Sequence, residues 1–165
     1  CEAGQRWTWD GVDFAVLHPR AADYDRAALK PNALSCVLQV SDAAGRRVLL
    51  TGDIEAEQEQ RLLSADAASL RSSVLIVPHH GSKTSSSAGF IDAVAPAVAV
   101  LQAGYRNRFG HPAATVLSRY AERAVAVARS DGCGAWQWSS ADNIAAARCE
   151  RDAAARYWHH RPLPD

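Results

Sequence analysis

The sequence predicts an α/β fold built on a mixed β-sheet, and three observations carry that expectation. Short runs of branched apolar residues alternate with runs rich in Ala, Glu, Gln and Leu, the interleaving of strands with helices. Gly, Pro and Asp-Gly residues punctuate those runs where turns belong. The chain has 165 residues, 48% of them hydrophobic, enough for one domain with a core of its own.

Taken in order, Trp7–Leu17 reads as a hairpin around Asp10-Gly11, because Asp-Gly between apolar runs favours a tight turn. His18-Pro19 ends it, and residues 20–33 read as a linker or short helix. Leu34–Val40 and Arg46–Thr51 flank a turn at Gly45 and form a second antiparallel pair. Ile54–Leu63 reads as a helix with acids in its first turns, where the helix dipole favours them. Val74–Val77 is a buried strand ended by Pro78, and Gly81–Ser87 a small polar loop. Phe90–Val94 makes a short helix, Val98–Leu101 a strand, and Pro112–Arg123 a helix with proline in its first turn. Val125–Ala128 and Cys133–Trp138 close the body as strands, and a polar, Arg-rich tail follows from Ser139.

Composition limits the function classes. Lys and Arg number 18 against 18 Asp and Glu, so no global field draws the chain to a polyanion, and any such contact is local. No stretch approaches the roughly 20 apolar residues a spanning helix needs, and there is no basic-then-apolar leader. The chain has no Met and begins at Cys1, which leads to the expectation that it is a piece of something longer. Cys1, Cys36, Cys133 and Cys149 form no CxxC pair, so a cysteine metal site is not expected. Their even number suits disulfides and four free thiols equally.

Three segments carry chemistry, each following an apolar strand. Thr51-Gly52-Asp53 places a carboxylate where a strand gives way to a helix, and Asp53 serves there as a ligand-binding carboxylate or as a helix N-cap. His79 and His80 follow VLIVP; on an extended segment neighbours point apart, so one is read as a metal ligand and the other as an orienting or substrate-contacting group. Gly104–Pro112 supplies Arg106, Asn107, Arg108 and His111 beside a helix start, a set suited to a phosphate. The bland alternative there is solvated arginines and a packed His111. Asn32 and Ser35 read as loop-holding residues.

The succession NALS-VL, LLTGDIE, VPHHGSKTSSS and GYRNRFGHP, from about Trp7 to Trp138, resembles the metallo-β-lactamase-like domain that ends ComEC-type DNA-uptake channels of competent bacteria. The resemblance implies the carboxyl half of an αββα sandwich over residues 1–138, with a tail over 139–165. It implies one or two divalent ions, Zn²⁺ or Mn²⁺, and a bridging water that attacks phosphate. Asp53 falls on the bridging carboxylate and His79 on a late histidine ligand, while Asp53, His80 and His111 make up the catalytic group. Arg106, Arg108, Lys83 and His111 contact phosphate, as does Asn107, and Ser82 with Ser85–Ser87 donates hydrogen bonds.

The first metal motif of that superfamily, HxHxDH, is absent from this sequence. The isolated chain is therefore expected to hold metal weakly and catalyse little. The implied partners are single-stranded DNA, an upstream membrane channel and the first half of the same domain, with no nucleotide cofactor. The implied location is the periplasmic face of the bacterial inner membrane. Two other readings stand beside it: a hydrolase of the same fold acting on a phosphocholine ester or lactone, and a degenerate module that binds DNA or closes the channel. Disulfides persist on that side of the membrane, so a Cys133–Cys149 bond is expected, with Cys1–Cys149 as the competing pair and Cys36 as a packed thiol. Arg148, Arg151, Arg156 and Arg161 interleave with Tyr157, Trp158, His159 and His160, expected as a solvated end with an aromatic tucked into the body and no metal at the histidines.

Overall fold

The computed structural model describes residues 1–158, so Arg161 and the His159-His160 pair lie outside the described residues. Seven strands form one mixed sheet in sequence order: β1 (Arg6–Trp9), β2 (Val12–His18), β3 (Val37–Ser41), β4 (Arg47–Leu50), β5 (Val74–Ile76), β6 (Val98–Leu101) and β7 (Ala126–Arg129). The first four pair antiparallel, β1–β2 and β3–β4 through tight hairpins and β2–β3 through the longer segment 19–36; β4 to β7 pair parallel. Connection length decides the two hairpins. Asp10-Gly11 and the turn at Gly45 can only reverse the chain, whereas a parallel neighbour needs a crossover.

The crossovers are helices that bury one face of the sheet. Leu49, Leu75 and Ala99 align across β4, β5 and β6 and are fully buried. Against them pack Leu62 of α2 (Ala56–Asp66), Phe90, Ile91 and Val94 of α3 (Ala88–Val94), and Val116 and Tyr120 of α4 (Ala114–Ala121). α1 is the single turn Ala21–Tyr24. The other face carries the aligned row Phe14, Val40, Val48, Val74 and Val98. Val16, Val74 and Val100 are buried there yet do not belong to the helix-facing core, and Trp7 and Leu50 remain exposed.

The chain beyond β7 departs from expectation. Cys133–Trp138 is not a strand of the body: Ser130–Cys133 is a helical turn (α5), and Gly134 follows at φ +72°, a conformation that ends the turn and re-aims the chain. β8 (Trp136–Gln137) then pairs with β9 (Arg148–Cys149) in a separate two-stranded sheet, followed by α6 (Glu150–Ala153). A Cys133–Cys149 disulfide ties this unit together. Cys36 is not the packed thiol expected of it; it is exposed, just before β3, and bonded to Cys1. Tyr157 and Trp158 are exposed, so neither ring is tucked into the body. No helix among the described residues is long and apolar enough to cross a membrane.

Candidate functional site

Because β2 runs parallel to β4 to β7, the carboxyl ends of all five strands meet at one edge. Their loops are joined by backbone bonds: His79 N–H donates to Gly52 O (3.0 Å), Val77 N–H to Val100 O (2.9 Å) and Ala113 N–H to Gly81 O (2.9 Å). Thr51, fully buried, donates its hydroxyl to Ile76 O (2.7 Å). This is the strand-end crevice where open α/β sheets gather ligands.

His79 and His80 do not continue the strand. Both are left-handed, at φ 49° and 54°, and Gly81 follows at φ 75°. A side chain in that region costs about 1–2 kcal/mol per residue, and a Cβ at Gly81 would lie 2.8 Å from Pro112 Cβ. The turn, rather than strand alternation, aims the two rings apart. His79 Nε2 faces the Asn32 amide at 3.3 Å, and its Nδ1 lies 3.2 Å from Glu55 Oε1 but outside hydrogen-bond geometry. His80 Nδ1 donates to Gln102 O at 2.8 Å, which leaves Nε2 as the nitrogen turned toward the site. Nε2 lies 3.4 Å from Asp53 Oδ1. Of the two imidazoles, it is His80 that stands against Asp53.

Asp53 does not cap α2. The cap position is Glu55, and the Asp53 amide is held by Ser35 Oγ (3.1 Å), leaving its carboxylate half exposed toward His80. An imidazole nitrogen and a carboxylate oxygen 3.4 Å apart can share one cation, a proton or a metal ion. Two ligands each about 2.0–2.2 Å from one ion span a distance of this order, and N and O donors suit Zn²⁺ or Mn²⁺. Yet among the described residues no group of three or more His, Cys, Asp or Glu is placed to hold an ion, and such sites use three or four protein ligands. The edge supplies part of a donor set.

His111 joins the cluster from the loop after β6, its ring edge-on to His79 with centroids 5.9 Å apart. Burial foremost, and then the neighbouring His79 and His80, lower its pKa from the ordinary imidazole value. A cleft of about 470 Å³ runs beside it, lined by His80, Gln102, Asn107, Phe109, His111 and Ser130 among others. Asn107 is committed to the loop itself: its carbonyl oxygen accepts from Phe109 N–H (3.2 Å) and His111 N–H (3.0 Å), and its amide donates to the Gly104 and His111 carbonyls. Arg106 and Arg108 are exposed, over the rings of Tyr105 and Phe109.

The serine loop corrects its sequence reading. Ser82 is buried with its hydroxyl on Thr84 (3.0 Å), and Ser85 donates to Pro78 O (2.8 Å). The Ser86 and Ser87 amides donate to Glu59, a fully buried carboxylate on α2, and Arg119 caps the Ser85 and Ser86 carbonyls at 3.0 Å. The Ser82, Ser85 and Ser86 side chains are thus buried in holding the loop, whereas Lys83 is exposed. Glu59 left no mark in the sequence, since a glutamate within a helix reads as a solvated face. Nor did a second imidazole–carboxylate pair, His18 and Asp23, whose nearest atoms are 4.0 Å apart and whose side chains are buried beside Arg61.

The fold and site define a mixed α/β domain with an incomplete imidazole–carboxylate cluster at its strand ends. No protein-family model matches the chain. It is 39% identical over 161 residues, 98% of its length, to Competence protein ComA of Neisseria gonorrhoeae, of which it covers 22%. It is 39% identical over 119 residues to Recombination protein 2 of Haemophilus influenzae (72% of this chain, 14% of that protein). With ComE operon protein 3 of Bacillus subtilis it shares 37% over 127 residues (77% and 16%). The chain thus spans about a fifth or less of the curated relatives it matches, and those relatives support a competence-related protein.

Proposed function

We propose that this chain is the strand-end half of a hydrolytic domain in a competence-related DNA-uptake protein, and that it acts on phosphodiesters. The observation that carries the reading is the placement of Asp53 Oδ1 3.4 Å from His80 Nε2 at the strand-end edge. Likeness over nearly the whole chain to a protein named for competence supports DNA as the substrate class. A bound Zn²⁺ or Mn²⁺ supplies a water ionised near neutral pH and charge on the phosphate oxygens. Asp53 and His80 are the residues that would hold it, with the remaining ligands from chain outside this sequence.

The chain's own part is binding and orientation. Gln102 O fixes the His80 tautomer, the kind of outer contact that sets ligand basicity. His111, kept neutral by burial, offers an acceptor for a proton on the cleft wall. Arg106, Arg108 and Lys83, all exposed, supply cations for phosphate. Two disulfides accord with an oxidising compartment, which supports a periplasmic position for this domain beside a membrane channel.

The test uses the intact protein that carries this chain. Purified with Mn²⁺ or Zn²⁺, it is expected to cleave single-stranded oligonucleotides, and Asp53→Ala to lower the rate by at least about a hundredfold, the upper range for losing one metal-tuning group, with an unchanged circular-dichroism spectrum. An Asp53→Ala protein that cuts at the unmutated rate overturns the reading.

A further inference from the structure

We propose that Phe109 is a stacking platform for an unpaired nucleobase at the mouth of the cleft, and that it makes the site select single-stranded over duplex nucleic acid. This rests on the reading above that the substrate is nucleic acid. Phe109 is 67% exposed, on a loop tied by its own hydrogen bonds. Asn107 bonds four backbone groups of the loop, and Gly110 N–H closes onto Asn107 O at 3.2 Å. The ring is held out by a rigid support and has no place in the core.

Its surroundings suit a flat partner next to an anion. The Arg108 guanidinium lies 4.9 Å from the ring centroid, and the His111 ring is nearly parallel to it at 6.0 Å and 19°. Phe109 also lines the cleft of about 470 Å³ that His80 and His111 line, a volume within the range of small-molecule sites. A base entering there lies on the wall shared with His80, and its phosphates meet Arg106 and Arg108. Stacking tolerates any base because every base has a π-face, but a duplex hides those faces between its own pairs. With a net charge of zero, the chain has no general attraction for DNA, so selection falls to this local pairing of ring and guanidinium. Insertion into lipid is the competing use of an exposed Phe beside Arg; the cleft-facing ring favours the base.

The 165-residue chain is titrated with a short oligothymidylate carrying one 2-aminopurine, alone and annealed to its complement, by anisotropy and emission. Expected are tighter binding of the single strand, a change in 2-aminopurine emission, and a loss of about five- to hundredfold in affinity for Phe109→Ala, restored by Phe109→Trp. The exposed ring makes Phe109→Ala safe for folding, which an unchanged thermal midpoint verifies. Arg106→Ala with Arg108→Ala weakens both forms and flattens the salt dependence. Equal binding by Phe109→Ala, equal affinity for the duplex, no binding at all, or binding only to anionic phospholipid vesicles each overturns the platform. In the intact protein, Phe109-dependent binding without cleavage overturns hydrolysis and keeps the platform; Asp53-dependent cleavage indifferent to Phe109→Ala does the reverse.

Discussion

Two imidazole–carboxylate pairs stand at the same edge of the same sheet, and their burial separates their uses. The side chains of His18 and Asp23 are each 3% exposed, while those of His80 and Asp53 are 50% and 38% exposed. In the buried pair three of the four side-chain polar atoms are taken, His18 Nδ1 by Ser35 O (3.0 Å) and Asp23 by Arg61 Nη2 (2.6 Å) and the Arg20 amide (2.9 Å), while His18 Nε2, 4.0 Å from Asp23, is buried without a hydrogen-bond partner. Burial lowers the His18 pKa, and although it pushes Asp23 upward, Arg61 and the Arg20 amide bring that carboxyl below its usual value. The result is a cross-link from the end of β2 through α1 to α2. In the exposed pair the anchors are backbone groups, and the facing atoms of His80 and Asp53 stay available. Ser35 serves both, its carbonyl to His18 and its hydroxyl to the Asp53 amide.

The largest effect expected of this contrast is from Asp23→Ala. It leaves Arg61 and His18 without their carboxylate, and breaking a buried ion pair costs about 3–5 kcal/mol; urea unfolding should register about 3 kcal/mol, since Arg61 is partly exposed. A loss below about 1 kcal/mol would show that the buried pair is no cross-link.

Gly81→Ala comes next. It adds a Cβ at φ 75° and 2.8 Å from Pro112 Cβ, and left-handed backbone plus overpacking sum to about 2–3 kcal/mol. A neutral result in the same unfolding assay would mean that the loop beneath His80 yields easily, contrary to a preset site.

Acidity should separate the pairs more gently. The lowered pKa of His18 means the unfolded chain binds a proton first, so stability is complete above about pH 6.5 and falls as pH drops from there toward the folded value. Asp23 works in a lower window, its contribution present above about pH 3.8 and lost as pH falls through its lowered folded value. Urea midpoints between pH 8 and 5 should decline for the unmutated chain and decline less for His18→Gln; parallel slopes would remove His18 as the cause.

The smallest effect belongs to Asp53→Asn, expected to change stability by no more than about 0.5 kcal/mol, as for an exposed side chain. A loss matching that of Asp23→Ala would erase the distinction between the two pairs.

Much of the frame was legible before any coordinates. VLIV, VAVL and RVLL are short branched runs, and Asp10-Gly11 and Gly45 are turn residues; these are local signals, carried by neighbours in sequence. They were enough to bring Asp53, His79, His80 and Gly104–His111 to strand ends, and helix boundaries moved by only a few residues, as Pro112–Arg123 became Ala114–Ala121. The sequence could also name which residues carry donors and cations, because that is a property of residue type.

Pairing across the chain was decided by the tertiary structure alone. His80 rather than His79 meets Asp53 because a left-handed turn sets both rings, and that turn depends on Gly81 fitting against Pro112. The serine loop faces inward because Glu59, 27 residues away, accepts the Ser86 amide. Cys36 finds Cys1, and Trp136 leaves the body to pair with Cys149, for the same reason. Asp23 gains Arg61 across 38 residues. Such contacts depend on which groups burial brings together and leaves in need of a partner, and no periodicity within a short window records that.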